Sequence, residues 1–222
     1  MRSLFILPVI LLLCLPSPGR AAFQFAPPVS ILTPEEPFFI VSDDFNRDGH
    51  PDLAVCTRRG SSVSIYPGNG LGEFPSRSDI FLGENFWTTG MAAADMNGDD
   101  IVDIIVNNYG APDHPQETVS VLYGDGEGAF SDPVEFPTGG PTPSAIVAAD
   151  FDGDGRPDIA VSNRAGHTVH TGDVAILQQT TPGEFVANAN RLPGLAPRSL
   201  FAEDLDNDGA IDLISANFLM PS

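Results

Sequence analysis

Aspartate residues form four short clusters in this chain, and the third shows their spacing most completely. Asp150, Asp152, Asp154 and Asp158 occupy positions 1, 3, 5 and 9 of a nine-residue segment, and Gly155 occupies position 6. Carboxylate oxygens at alternate positions of a tight loop, with a backbone carbonyl at position 7, supply the oxygen ligands that a hard divalent cation requires. The spacing therefore predicts a calcium-binding loop.

The other three clusters repeat this pattern at nearly constant intervals. They occupy segments 44–52, 95–103 and 204–212, and the first aspartates of the four loops are 51, 55 and 54 residues apart. A short apolar run follows each loop directly, as a β-strand would. The period is that of one four-stranded propeller blade.

The secondary-structure elements that position the aspartate loops are predicted to be β-strands throughout the chain. Apolar runs of about five residues alternate with Gly, Pro, Asn and Asp clusters, and helical periodicity is absent, which indicates an all-β domain. In the first repeat we predict strands at 38–41, 52–56, 62–66 and 78–82. The expected fold is a β-propeller of four-stranded antiparallel blades, incomplete, with three full blades and parts of a fourth.

The last repeat stops after its second strand, at residue 216, so we expect a chain truncated at its C-terminus. A four-bladed ring and an arc that closes by oligomerising are the alternatives. Segment 23–37 resembles a fourth strand with no blade before it, and in a closed ring it would complete the last blade. Glycine-rich hairpin turns at 68–74, 124–130 and 182–185 each end in phenylalanine, which we expect to pack between blades.

The N-terminus has the features of a secretory signal peptide. A basic start, an apolar core at 4–15 and small residues before position 22 predict residues 1–21 as the leader and 22–222 as the propeller. The expected location is secreted, periplasmic or at the cell surface, without membrane insertion after cleavage. Cys56 is then the one remaining cysteine, predicted to be a small buried hydrophobe, and calcium would replace disulfides as the staple.

The formal charge of −20, from 30 acidic and 10 basic residues, argues against nucleic acid and anionic membranes as partners. Fourteen of the acidic residues occupy ligand positions of the four loops. The acidity therefore belongs mainly to metal-site chemistry.

The repeated pattern D-x-[DN]-x-D-G-x-x-D before an apolar strand resembles the FG-GAP/VCBS repeat family of integrin-α-like β-propellers. The second loop departs from it, because Asp100 stands where glycine is expected. The resemblance implies calcium bound by side chains at positions 1, 3, 5 and 9 and by the carbonyl at position 7. The implied side-chain ligands are Asp44, Asn46, Asp48, Asp52, Asp95, Asn97, Asp99, Asp103, Asp150, Asp152, Asp154, Asp158, Asp204, Asp206, Asp208 and Asp212. The implied carbonyl ligands belong to His50, Ile101, Arg156 and Ala210.

Strand alternation within a blade puts the aspartate loops and glycine turns at one end and the remaining connections at the other. We expect any ligand to bind at this second end, on loops such as 107–117 and 163–172. The residues there that suit binding are Arg58, Arg59, Trp87, Tyr109, His114, His167 and His170.

Three functions are compatible with the sequence. The first is a non-catalytic binding or adhesion scaffold whose partner is an extracellular protein or glycan, as the family resemblance implies. The second is the propeller portion of an extracellular polysaccharide-active enzyme, although no catalytic constellation is recognisable. The third is a structural spacer in a larger surface protein.

Overall fold

The computed structural model describes residues 8–11, 14–15, 24–25, 28–34, 36–111, 113–164, 172–187, 191–194 and 197–217. Every regular element in this part of the chain is a β-strand. None of its segments forms a helix long and apolar enough to cross a membrane. The expected all-β class is confirmed.

Four strands near the N-terminus form two small hairpin-like sheets. Antiparallel pairs join β1 to β4 and β2 to β3, with bounds β1 (Pro8–Leu11), β2 (Cys14–Leu15), β3 (Gln24–Phe25) and β4 (Val29–Leu32). Ile31 of β4 packs against Leu53, Val55 and Tyr66 of the first blade. β4 therefore adjoins the first blade, and the completion of the last blade by segment 23–37 in a closed ring stays a prediction. The predicted signal peptide is untested, because most of residues 1–21 lie outside the described ranges.

The first two blades are four-stranded antiparallel sheets that follow the chain order from strand to strand. The first contains β5 (Pro37–Asp43), β6 (Asp52–Thr57), β7 (Ser62–Tyr66) and β8 (Ser78–Phe81). The second contains β9 (Met91–Ala94), β10 (Asp103–Ala111), β11 (His114–Leu122) and β12 (Val134–Pro137). The predicted strands of the first repeat are confirmed to within three residues at each boundary.

The third blade carries one extra strand, and the fourth has two strands among the described residues. The third contains β13 (Pro143–Ala149), β14 (Asp158–Arg164), β15 (Gly172–Thr181) and β16 (Glu184–Ala187), with β17 (Leu192–Gly194) also paired to β15. The fourth is the pair β18 (Pro197–Glu203) and β19 (Asp212–Asn217). An incomplete β-propeller is the architecture that results.

The core lies between neighbouring blades, because each sheet is apolar on both faces. One cluster joins the first blade to the second through residues such as Ile65 and Ile104, and another joins the second to the third through Ile105 and Ile159. All four of these side chains are fully buried. Cys56 lies in the first cluster, and burial raises the pKa of its thiol to about 11, so its prediction as a buried hydrophobe is confirmed.

The glycine turns contribute their phenylalanines to the same interfaces. Phe130 packs edge-on against Phe45 of the first blade with ring centroids 5.7 Å apart, and Phe185 packs against Phe136 of the second at 5.1 Å. These two turns therefore reach back to the preceding blade, as expected from the sequence. The third, Phe74, packs with Ile31 on the outer face of the first blade.

Candidate metal centres

Each predicted calcium loop connects the first two strands of its blade and is held by its own aspartates. The carboxylate at position 1 accepts the backbone amide of position 5 on Oδ1, at 3.1 to 3.2 Å, and that of position 6 on Oδ2, at 2.8 to 3.0 Å. These half-buried carboxylates belong to Asp44, Asp95, Asp150 and Asp204. The same two bonds recur in all four loops, so the sequence repeat is also a repeat of geometry.

Positions 3 and 5 close two smaller turns within each loop. The side-chain oxygen of Asn46, Asn97, Asp152 or Asp206 accepts the amide of position 5 at 2.9 to 3.1 Å. The position 5 carboxylate, from Asp48, Asp99, Asp154 or Asp208, accepts the amide of position 7 at 2.8 to 2.9 Å. These amides belong to His50, Ile101, Arg156 and Ala210. Such turns curl the backbone around the side-chain oxygens of positions 1, 3 and 5.

The curl requires a left-handed backbone at two positions of every loop. Position 6 has φ of 63° at Asp100 and 83° to 92° at the glycines of the other three loops. The expectation that an aspartate can form this turn is confirmed. Position 4 is also left-handed, with φ between 57° and 79° at Arg47, Gly98, Gly153 and Asn207. Sequence reasoning missed this second position, although two glycines and an asparagine there were a usable signal.

The aspartate at position 9 makes backbone hydrogen bonds that the sequence did not predict, in addition to its predicted role as a metal ligand. Its Oδ2 accepts the amide of position 2 of its own loop in all four repeats, at 2.8 to 3.3 Å. In the first three blades its Oδ1 also accepts an amide at the end of the third strand, from Gly68 (2.7 Å), Gly124 (2.8 Å) or Gln179 (2.8 Å). Asp52, Asp103 and Asp158 are buried, whereas Asp212 is exposed. The position 9 side chain thus ties the loop to the neighbouring glycine turn.

Burial and hydrogen bonding set opposite pKa shifts within one loop. Burial raises the pKa of Asp103 to about 6, although the amides of Gly124 and Met96 counteract it, and burial likewise raises the pKa of Asp52 and Asp158. At position 1, burial raises the pKa of Asp95, but four loop amides together outweigh it and the net shift is downward. The amide of Gly155 is the largest cause of the lowered pKa of Asp150. The lowered pKa of Asp95 and of Asp150 favours the charged form that a metal ligand needs.

In the last two loops, groups of three carboxylates have oxygen separations that fit a calcium-sized ion. Carboxylate oxygens of Asp150, Asp152 and Asp158 lie within 4.8 Å of one another, and so do those of Asp204, Asp206 and Asp208. Ligands about 2.4 Å from a common ion are at most about 5 Å apart, so these groups match a calcium shell. In the first two loops, where position 3 is asparagine, three carboxylates do not come this close among the described residues.

Two side chains of the third blade occupy oxygens that a metal would use. The guanidinium of Arg156 pairs with the Asp154 carboxylate, and the amide of Gln178 donates to Asp152. Each donor competes with an ion for one oxygen of its carboxylate. The sequence did not predict the contact of Gln178 with Asp152, because Gln178 lies on strand β15, 26 residues from the loop position that it contacts.

The residues expected to bind ligands at the opposite end are only partly where the sequence placed them. Tyr109 is 6% exposed and lies within strand β10, because 107–117 forms a long hairpin of β10 and β11, so the predicted loop there is wrong. Trp87 is half-buried under the guanidinium groups of Arg58 and Arg59, at 5.5 and 5.1 Å from its ring centroid. His114 is exposed beside Asp113. His167 and His170 lie outside the described residues.

Stacked four-stranded blades with an aspartate loop between their first two strands define a propeller-type repeat protein. The model of the FG-GAP-like repeat family matches residues 19–106 and 109–161, which is more than half of the chain. The chain therefore belongs to the FG-GAP-like repeat family, and the predicted resemblance is confirmed. A comparison with curated protein sequences finds no match.

Proposed function

We propose that this protein is a secreted, calcium-binding β-propeller repeat protein that acts as a non-catalytic binding or adhesion scaffold. Family membership supports a scaffold of this kind, and the leader-like N-terminus supports export. The proposed ion is calcium, because the side chains at positions 1, 3, 5 and 9 of each loop are hard oxygen donors, with neither imidazole nor thiolate among them. The loops would hold the metal through positions 1, 3, 5 and 9.

The observation that carries this proposal is the identical hydrogen-bond pattern of the four loops. Backbone amides hold the position 1, 3 and 5 side chains on one side of a tight curl, where their charges repel one another without a cation. An ion that binds the folded loops stabilises the protein by RT ln(1 + [L]/Kd), which is about 1.4 kcal/mol per site at tenfold excess over Kd. Four such sites would contribute on the order of 5 kcal/mol, comparable to the whole stability of many domains.

Thermal unfolding in calcium and in chelator tests this proposal. We expect 1 mM calcium to raise the midpoint by on the order of 10 °C, since about 1 kcal/mol corresponds to roughly 2–4 °C at this size. Magnesium at the same concentration should raise it much less, because it prefers a tighter octahedral shell. Asp154→Asn together with Asp208→Asn should remove part of the calcium increment while leaving the midpoint in chelator nearly unchanged. Equal midpoints in calcium and chelator would contradict the proposal.

Export is tested separately by expressing the full chain and sequencing the N-terminus of the processed protein. We expect mature protein to begin at Ala22 or Phe23, and a chain that lacks residues 1–21 to stay in the cytoplasm. Cleavage would remove β1 and β2, and the edge of β4 would then lose its partner strand. An unprocessed chain retained in the cytoplasm would contradict secretion without affecting the calcium proposal.

A further inference from the structure

A cavity of about 220 Å³ opens at the end of the blades opposite to the calcium loops. Its wall contains three arginines, Arg58, Arg164 and Arg198, and two aromatic residues, Phe38 and Tyr109. The hydroxyl residues Thr89 and Ser144 complete it. Strand β5 runs from this cavity to the first calcium loop. Its seven residues advance about 3.3 Å each, so the cavity lies about 20 Å from the calcium loops.

Register shifts in the four blades supply four of the seven residues of this wall. Phe38, Ser144 and Arg198 each sit at a register shift near the start of the first strand of their blade, and Tyr109 sits at the shift between Asn108 and Gly110. A residue at such a bulge leaves the regular ladder, and its side chain is turned away from the alternating pattern. Bulges from four blades thus direct side chains into one cavity.

The cavity is cationic within a strongly acidic protein. Its wall contains three of the 10 basic residues of the chain and no carboxylate. Within the described ranges, neither Arg58 nor Arg164 has a carboxylate at ion-pair distance, whereas Arg77, Arg156 and Arg191 each have one. In this part of the chain, the positive charges of these two guanidinium groups are therefore not paired with a carboxylate.

Arg164 is the central group of the cavity. Its side chain belongs to a residue only 5% exposed, and Nη1 donates to the hydroxyl of Tyr109 at 2.8 Å. Its Nε is buried and has no acceptor in the part of the chain that the structure describes, and the same is true of the Nε of Arg58. A buried guanidinium with unused donors is costly unless an anion completes its hydrogen bonds.

The volume of the cavity and the residues of its wall limit the class of anion that could bind there. The volume is below the range of about 300–1,000 Å³ typical of sites for drug-sized ligands, so it suits one small unit. Guanidinium groups match a carboxylate in a planar, two-bond geometry, and the ring of Phe38 and the hydroxyls of Thr89 and Ser144 suit a body that is partly apolar and partly hydroxylated. A sugar acid combines these features.

An acidic peptide fits this cavity less well. The backbone amides of Arg58, Tyr109 and Arg164 already donate to the carbonyls of Glu36, Trp87 and Pro141 at 2.7 to 3.1 Å. A peptide main chain would therefore find few partners for its own carbonyl groups there. The recognition that remains available comes from side chains, which favours a compact ligand.

We propose that this cavity binds a single carboxylated sugar unit, such as a uronic acid, either free or at the end of an acidic glycan. The proposal rests on the scaffold function proposed above and names its ligand class. The carboxylate would lie between Arg58, Arg164 and Arg198, and the sugar ring against Phe38. Calcium would stabilise the fold at the far end without contacting the ligand.

The test is calorimetric titration of the calcium-loaded full chain with glucuronate and with glucose as the uncharged match. We expect saturable binding of glucuronate, at least tenfold weaker binding of glucose, and loss of affinity as salt rises. Arg58→Gln and Arg198→Gln, at the two more accessible arginines, should each weaken glucuronate binding at least fivefold. Arg77→Gln removes an arginine of the first blade that lies outside the cavity and should leave binding unchanged. A glucuronate-terminated oligosaccharide that binds more tightly than the monosaccharide would identify a glycan end as the source.

Several results would overturn the proposal. These are no binding of glucuronate, equal binding of glucose, unchanged binding by both arginine variants, and tighter binding of inorganic sulfate or of an oligoglutamate peptide. Melting of the unmutated protein in calcium and in chelator, compared with its glucuronate titration, separates the two proposals. A retained calcium increment without glucuronate binding would refute the cavity proposal alone, and glucuronate binding without a calcium increment would refute the metal proposal alone.

Discussion

At the scale of single residues, the aspartate at position 9 of each loop has a structural role that precedes any metal. In the first three blades both of its oxygens accept backbone amides, one from its own loop and one from the end of the third strand. Asp103, fully buried, is the clearest case. Its removal would leave the amides of Met96 and Gly124 without their acceptor.

We therefore predict that Asp103→Ala destabilises the protein by about 2–4 kcal/mol even in chelator, because two buried donors lose their partner. Asp212→Ala is the matched control, since Asp212 has the same position but is exposed and accepts only one recorded amide. Its cost should be below about 1 kcal/mol. Urea unfolding in chelator measures both, and equal losses would contradict the claim that the two buried hydrogen bonds of Asp103 stabilise the fold.

At the scale of the element, each calcium loop is a curl with two left-handed residues. Position 6 is glycine in three loops, where that conformation costs little, and aspartate in the second, at Asp100. The left-handed conformation raises the conformational free energy of a non-glycine residue, although by less for aspartate than for most other residues. The second loop therefore carries a small local strain that the others lack.

Asp100→Gly should stabilise the protein by about 0.5–1 kcal/mol, because it removes this strain. The reverse change in the third loop, Gly155→Asp, should cost a similar amount, since Gly155 has φ of 87° and its added Cβ would meet no neighbouring atom. The opposite signs isolate backbone conformation from local packing. Unfolding in chelator measures both variants, and shifts of the same sign would refute this explanation.

At the scale of the whole molecule, the loops also lock neighbouring blades together. The position 2 side chains Phe45 and Met96 are buried in the interfaces that their blades make with the next ones. The carbonyl of Met96 also accepts the Gln179 side chain at 2.7 Å and the Gly183 amide at 3.1 Å, both from the third blade. Leu205, at the same position in the fourth repeat, is 56% exposed. Position 2 therefore matters where a following blade covers it.

Met96→Ala should thus destabilise the protein by about 2–4 kcal/mol, because it leaves a cavity between the second and third blades. Leu205→Ala, the same type of change at the equivalent position, should cost less than about 1 kcal/mol in this chain. Chemical unfolding provides the comparison. A similar loss for both would mean that Leu205 is covered in solution by something that these strands do not provide.

The sequence by itself determined the features that act over a few neighbouring residues. Aspartate turns, left-handed glycines and short apolar runs fix the four loops and the strands that flank them, because the hydrogen bonds within each loop join residues two to seven positions apart. The repeat of about 54 residues then fixed the blade and, with it, the fold class. For the same reason the side chains at positions 1, 3 and 5 accept backbone amides of their own loop in all four repeats.

Only the tertiary structure decided what depends on contacts between repeats. It brought the amide of Gly124 to the carboxylate of Asp103 and the side chain of Gln178 to the carboxylate of Asp152. It also brought residues at the β-bulges of four blades together around one cationic cavity. It also placed Tyr109 in a buried strand, where the sequence indicated a loop. The physical reason is that these contacts join positions from about 20 to more than 100 residues apart, and their geometry follows from the packing of whole sheets, which no local pattern encodes.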